Sequence, residues 1–286
     1  MQSEIFHLFD RAVEGDKEAL EGLILSVQDM IYNLSLRMLG MPCDAEDATQ
    51  EIIIKVITQL SAFRKESAFS TWVYRIAANY LINYKKTMFA QHQLSFEFYG
   101  QDIDNGFIDN TNQLTQSVDE NLLAEELKHS CTNVMLQCLD PESRLIYVLG
   151  VMFKVDSKIC GEILEISPEA YRQRLSRIRK QVGEFLSEYC GLSQTGKCNC
   201  KKRVGYAIHT RRLDPQNLEY SNMSRADENT ILNFTQAMEE MDQMSFVFAQ
   251  LPKYRSPDVI HKFIKNLLDT YAMRVITGNA GEEITV

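Results

Sequence analysis

Apolar residues at Leu23, Val27, Met30, Ile31, Leu34 and Met38 recur three and four apart, which predicts a helix over 23–38. Gly40, Met41 and Pro42 end it. A second helix starts near Asp44 and carries Ala45, Ala48, Ile52, Val56, Ile57 and Leu60. Its first turn holds Asp44, Glu46 and Asp47, where the helix dipole favours negative charge. After the loop 63–69, Ser70 or Thr71 is the expected N-cap of a third helix running to about Lys86.

From 87 to 126 the pattern changes. There are eight acids, no Lys or Arg, many Asn and Gln, and no sustained period. A linker of about 35 residues is the expectation, too long for a connection inside one compact domain. Helical spacing resumes with Leu122, Leu123 and Leu127, and a compact helical unit follows over about 127–190. Further on come a Met-rich stretch (Met238, Met241, Met244, Phe246, Phe248), breaks at Pro252 and Pro257, and a helix with Val259, Ile260, Phe263, Ile264, Leu267, Leu268 and Tyr271. No internal repeat is visible. The expected fold is all-α: a helical domain over 1–88, a flexible acidic linker over 89–121, a second helical domain over 122–190, and a helical C-terminal extension over 191–286.

Composition agrees with helices, since 13 glycines and 6 prolines in 286 residues are little turn material. No apolar run approaches the roughly 20 residues of a membrane span, and the first residues lack a signal peptide's basic start. A soluble cytoplasmic protein without membrane insertion is expected. The net charge of −9 hides a pattern: +4 over 64–86 and +9 over 172–212 stand as basic islands on an acidic chain. Two such islands read either as two contacts with a polyanion or as two solvated helix faces.

The second island has the chemistry to decide. Residues 157–164 form a short helix, 165–167 turn the chain, Ser167 is a good N-cap, and Pro168 sits where a missing N–H costs nothing. The next helix puts Tyr171, Leu175, Ile178, Val182, Leu186 and Tyr189 on an apolar stripe, with Arg172, Gln173, Arg174, Ser176, Arg177 and Lys180 outside it. That is a helix-turn-helix whose second helix can read a major groove, Arg at guanine, Gln at adenine, other cations at phosphate. In the first island, Trp72, Arg75, Asn79, Asn83 and Lys86 fall within roughly 80° on a helical wheel. Val73, Ile76, Ala77, Tyr80, Leu81 and Tyr84 take the neighbouring arc as core. An aromatic plane, amides and cations on one face suit unstacked bases, and Arg64, Lys65 and Ser67 would lie close by.

These residues resemble a known family. Ala45 to Glu51 (AEDATQE) and Phe69 to Asn79 (FSTWVYRIAAN) are similar to region two of bacterial RNA polymerase sigma factors of the extracytoplasmic-function type, and Tyr171 to Arg177 (YRQRLSR) is similar to their region-four recognition helix. The resemblance covers about 8–88 and 132–188. It implies that Asp44, Glu46, Asp47, Gln50 and Glu51 meet core RNA polymerase, that Trp72 and Asn79 act at the minus-ten element with Asn79 capturing a flipped base, and that the 64–70 loop helps form that pocket. Arg172, Arg174 and Arg177 would read the minus-thirty-five element of promoter DNA. The acidic linker would thread towards the polymerase active site, and an anti-sigma factor is a further partner the family implies. The chain departs from the family at Asn83, commonly Asp, and at Ile159-Cys160-Gly161, usually Glu-Ile-Ala; glycine there costs about 1 kcal/mol of helix stability.

Seven cysteines, an odd number, argue for reduced thiols. Cys190, Cys198 and Cys200 lie within eleven residues and could supply three legs of a structural zinc site with His209 as the fourth, serve as redox sensors, or be plain thiols. No nucleophile–base pair, phosphate-binding glycine loop or His-rich site argues for an enzyme, and no cofactor is required. Two rivals remain at this level: a helix-turn-helix regulator reading only duplex, and a metal- or redox-sensing DNA-binding protein.

Overall fold

The computed structural model describes residues 2–89, 94–106, 118–193, 195–225, 251–270 and 273, with the backbone alone at 2 and 85–89. Among them are eleven α-helices: α1 (Gln2–Val13), α2 (Lys17–Leu39), α3 (Pro42–Thr58), α4 (Phe69–Phe89), α5 (Phe96–Asn105), α6 (Glu120–Leu136), α7 (Pro141–Tyr147), α8 (Ser157–Leu164), α9 (Pro168–Tyr189), α10 (Cys200–His209) and α11 (Asp258–Leu268). No strand occurs among the described residues, where a lone bridge pairs Arg225 with Tyr254.

Local chemistry explains the ends. The Asp16 carboxylate accepts the Ala19 N–H at 3.0 Å, so α2 begins six residues before its apolar period becomes visible. Gly40 closes α2 at φ 90°, a conformation open to glycine. α4 starts one residue before the expected cap: the Ala68 carbonyl accepts the Trp72 N–H at 3.2 Å, and Ser70 and Thr71 are buried in the first turn.

Packing joins what the sequence separates. One hydrophobic cluster takes residues from α1 to α4 (Leu23, Ile52, Val73), from α7 to α9 (Leu149, Ile163, Leu175) and from α11 (Ile260, Ile264). α4 lies directly against α7 and α8. Inside the stretch read as linker, Phe96–Asn105 is helical: Ser95 Oγ accepts the Phe98 N–H at 3.1 Å, Tyr99 stacks on Phe185 of α9 at 6.0 Å, and the Phe96 ring lies tilted against it at 5.0 Å. Asp102 on α5 accepts from Arg203, Tyr206 and Arg212 at 2.9, 2.8 and 2.6 Å. Burial pushes its pKa up, but those bonds outweigh it and hold the carboxyl below the usual range.

The extension is fastened by buried polar bonds. Both oxygens of the buried Glu126 carboxylate accept backbone N–H groups of Glu219, Tyr220 and Ser221 at 2.7–2.8 Å. The Asn33 amide makes two bonds with the Tyr254 backbone at 2.6 and 2.8 Å. Arg37, 1% exposed, donates to Asn133 Oδ1 at 2.6 Å and to the Pro252 carbonyl at 2.5 Å. The Met-rich stretch 238–248 lies outside the described residues.

His129 of α6 is buried beside the rings of Tyr220 and Tyr254, with centroids at 6.2 and 6.5 Å. Burial drives its pKa down to about 4; Glu125 opposes, while Lys128, Arg37 and Arg225 reinforce. The unfolded chain takes up a proton near pH 6.5 that the folded chain refuses, so this contribution to stability is whole above about 6.5 and is lost as pH falls towards 4. Urea denaturation across that window is expected to show a falling midpoint in the natural chain and a flatter one in His129→Gln. Equal slopes would exclude His129 as the cause.

Candidate nucleic-acid interface

The α8–α9 turn is built as its sequence suggests. Ser167 Oγ accepts the Ala170 N–H at 3.1 Å, and Pro168 opens α9. Glu165 closes α8 at φ 55°, a left-handed position that glycine fills at less cost. Glu165→Gly is therefore expected to stabilise the protein by about 0.5–1 kcal/mol, the relief of strain exceeding glycine's extra freedom when unfolded. A thermal melt with an unchanged or lower midpoint would contradict it. The glycine at 161 has its own reason: a Cβ there would stand 2.7 Å from the Ile166 carbonyl oxygen, so the turn gains what α8 loses in helix propensity. At Gly150 a Cβ would stand 2.4 Å from Tyr171 Oη, so this glycine lets α9 seat on the preceding turn.

Tyr171, Leu175, Ile178, Val182 and Leu186 are buried as expected, and Phe185 joins them, whereas Tyr189 is only half-buried. Arg172, Gln173, Arg174, Ser176, Arg177 and Lys180 are all exposed along one side of α9. Arg172 donates to Glu169 at 2.9 Å and to Ser157 Oγ at 3.0 Å, which ties it across the turn. Lys180 lies 3.9 Å from Glu184. The face is cationic and free of the core, the requirement for laying a helix along a groove.

The α4 face is more constrained. Trp72 is half-buried, its ring 5.4 Å from Phe63 and 5.8 Å from Phe69, so it is held within an aromatic cluster. Arg75 is half-buried and donates to the Glu162 carbonyl of α8 at 3.0 Å. Asn79 and Asn83 are exposed, and the Lys86 side chain lies outside the described residues. In the preceding loop Arg64 and Lys65 are exposed and Ser67 half-buried. Lys65 pairs with Asp10 and lies over the Phe6 and Phe9 rings, at 5.7 and 5.2 Å. Of the arc assigned to the core, Val73, Ala77 and Leu81 are buried, but Ile76, Tyr80 and Tyr84 are half-buried.

On α3, Asp47 and Glu51 are exposed and Asp44, Glu46 and Gln50 half-buried. Burial, then the nearby Asp47, raises the Glu46 pKa. Tyr80 and Tyr84 stack at 5.8 Å on the adjoining helix, with Lys55 5.7 Å above Tyr80. Sequence reading missed this aromatic edge beside the acids because it counted both tyrosines as core.

Around the cysteine cluster, Cys190 is buried and Cys198 and Cys200 are half-buried, whereas His209 is exposed at the far end of α10. Nine residues of helix, about 13 Å, separate it from Cys200. Cys131 of α6 lines one cavity together with Cys198 and Cys200. As placed, no three His, Cys, Asp or Glu side chains among the described residues stand around a common point at coordinating distance.

Comparison with known proteins bears on the two faces. The Sigma-70 region 2 family matches residues 23–87. The ECF RNA polymerase sigma factor SigW of Bacillus subtilis is 29% identical over 181 residues, 61% of this chain and 92% of that protein. The ECF RNA polymerase sigma-E factor of Haemophilus influenzae is 26% identical over 175 residues, 61% of this chain and 91% of its own length. The RNA polymerase sigma-H factor of Pseudomonas aeruginosa is 41% identical over 78 residues, 27% of this chain and 40% of that protein. The likeness to SigW and to sigma-E thus extends well beyond α2–α4.

Proposed function

We propose that this chain is an extracytoplasmic-function sigma factor of bacterial RNA polymerase, as its similarity to such proteins supports, and that its three polar surfaces divide the work of starting transcription. It binds core RNA polymerase, recognises promoter DNA and initiates RNA synthesis, and an anti-sigma factor is a further proposed partner. On this reading Asp44, Glu46, Asp47, Gln50 and Glu51 of α3 meet the polymerase, the α9 cations read the minus-thirty-five element, and α4 with the 64–67 loop holds the opened minus-ten element. The observation that carries it is that α9 offers a wholly exposed row of Arg and Gln while α4, on the same chain, exposes Asn79 and Asn83 along the stripe that begins at the half-buried Trp72. A regulator that reads only duplex has use for the first and none for the second.

Nothing in this role makes or breaks a covalent bond, and it calls for no resident cofactor; a zinc at the cysteine cluster would be structural. Among the described residues no helix is long and apolar enough to cross a membrane. The cytoplasm, where polymerase and DNA meet, is the proposed site of action.

Geometry adds a requirement. Elements centred about 25 base pairs apart lie ~85 Å apart along a duplex, at 3.4 Å per pair. A compact chain of this length is only about 50 Å across. The arrangement in which α4 lies on α8 and Arg75 bonds to Glu162 is therefore a closed one, and promoter binding separates the two. Residues 89–121 are the proposed tether, and the 191–286 extension, anchored on α2 and α6, is a proposed regulator of that opening.

The test is in vitro transcription with core polymerase on a genomic promoter library, using the natural chain and Asn79→Ala. Transcripts are expected from the natural chain. The variant, altered at an exposed position, should bind duplex promoter as well but open it about tenfold or more less often by permanganate footprinting. No transcript from any template, or an Asn79→Ala chain that opens promoters normally, would overturn the respective assignments.

A further inference from the structure

The segment leading into α11 lies along α2 as an extended strap. Its sequence favours that form: Pro252 and Pro257 bracket it, and the proline rings keep the residues before them, Leu251 and Ser256, out of the helical region. Backbone groups then alternate. The Pro252 carbonyl, the N–H and carbonyl of Tyr254 and the Ser256 N–H all face α2. The Arg255 N–H turns the other way and donates to the Ser224 carbonyl at 2.9 Å. This is the period of two that defines a strand.

α2 meets that edge with side chains in place of a second strand. Arg37, Asn33 and Asp29, four residues apart on one face, answer Pro252, Tyr254 and Ser256 in antiparallel order. The steps agree, since four helical residues rise about 6 Å and two extended residues about 6.6 Å. The Asn33 carboxamide carries the donor and acceptor of a peptide group. It accepts the Tyr254 N–H at 2.8 Å and donates to the Tyr254 carbonyl at 2.6 Å, the two bonds an opposing strand residue would exchange. Asp29 Oδ1 accepts the N–H and the hydroxyl of Ser256, both at 2.8 Å. Apart from that hydroxyl, α2 reads backbone. The register is fixed by the Tyr254 side chain, 1% exposed, whose ring centroid lies 5.7 Å from the Arg37 guanidinium, 6.5 Å from that of His129 and 6.4 Å from that of Tyr220. Arg37 and Asn33 belong to the first helical unit and His129 to the second, so this ring sits where both units meet the extension.

The seam is incompletely paired. Tyr32 Oη and Ser35 Oγ of α2, His129 Nδ1 of α6 and Tyr254 Oη are buried with no hydrogen-bond partner among the described residues. Parting the seam returns these groups to water, which lowers the cost of release. We propose that the Asp29–Asn33–Arg37 stripe of α2 is a recognition site for an extended peptide anchored by a tyrosine. Residues 252–256 fill it in cis, and this strap is the catch that holds the two helical units closed. The catch rests on the reading above that promoter binding separates the units; the peptide site does not.

Amide hydrogen exchange of the full chain, read by mass spectrometry, tests both parts. The Tyr254 and Ser256 amides should be protected in the free protein. Asp29→Ala, at a half-buried position, should speed exchange over 253–256 by about tenfold or more while α9 keeps its own rate. An unprotected strap in the natural chain, or unchanged strap exchange in the variant, would overturn the peptide site. With core polymerase and promoter bound, the same amides should exchange about tenfold or more faster than in the free chain. At limiting polymerase, Asp29→Ala should yield about threefold or more transcript than the natural chain. A strap still protected in a complex that makes transcripts, or a variant no more active than the natural chain, would overturn the catch and leave the promoter reading standing. No transcript from any template would overturn that reading and the catch with it, while strap exchange in Asp29→Ala still decides the peptide site.

Discussion

Arg144→Met is expected to lower the stability of the whole protein by about 3–5 kcal/mol, a large part of the 5–15 kcal/mol that holds an ordinary domain together. Arg144 has no exposure to solvent. Its Nε donates to the Leu136 carbonyl at 2.7 Å, Nη1 to Met38 at 2.6 Å and to Gln137 Oε1 at 2.7 Å, and Nη2 to Gln137 and Leu139 at 3.2 and 2.7 Å. One planar cation thereby satisfies the carbonyls at the C-terminal ends of both α2 and α6. Methionine fills much of the volume but offers no donor, so these acceptors are left dry and unpaired. Lysine supplies three donors from a single point and cannot span the same set. Thermal unfolding followed by circular dichroism should show a midpoint about 10 °C lower in Arg144→Met, with Arg144→Lys rescuing only part. A midpoint within a degree or two of the natural chain would mean that water or a rearranged chain replaces the guanidinium.

The second large effect concerns DNA. Arg174 and Arg177 are exposed on α9, away from the stripe of Tyr171, Leu175 and Ile178 that seats the helix. Replacing both with alanine should leave stability within about 0.5 kcal/mol. Each lost guanine or phosphate contact costs about 1–3 kcal/mol, so duplex affinity should fall at least about thirtyfold for the pair. The salt dependence of binding should become shallower by up to about one unit of slope per phosphate contact removed. Fluorescence anisotropy of the polymerase-bound protein on a promoter used by the natural chain measures both. Undiminished affinity with an unchanged salt slope would take DNA recognition away from this helix.

Much of the fold was legible because it is local. Ser167, Pro168 and the three-and-four spacing from Tyr171 to Leu186 announce α9 before any contact is known, and Gly40 announces the end of α2. The helix at 96–105 was also written locally, in the Ser95 cap and in Phe96, Tyr99 and Ile103, but fewer than three turns among many acids are too short for a period to stand out. α10 was hidden likewise, its apolar positions Val204 and Ala207 being few against a run of cations. What could not be read were pairings across the chain: Arg75 with Glu162, Arg37 with Pro252, Asn33 with Tyr254. In each case a residue of ordinary local meaning acquires its role from a partner that no pattern in its own segment names. Trp72 shows the reverse: its position on the α4 wheel was right, but only the packing reveals that Phe63 and Phe69 hold its ring.

The bond between Asn33 and Tyr254 spans 221 residues. A ribosome adding 5–20 residues per second needs about 10–45 s to cover that distance. During that interval α2 can already be helical while the groove that Tyr254 and α11 will fill lies bare, with Leu36 and Tyr32 open to water. Each newly made copy therefore passes through a juvenile stage in which its first helices are folded and their lining is not yet in place. A chaperone or the polymerase itself meets a different surface then than it does on the finished chain.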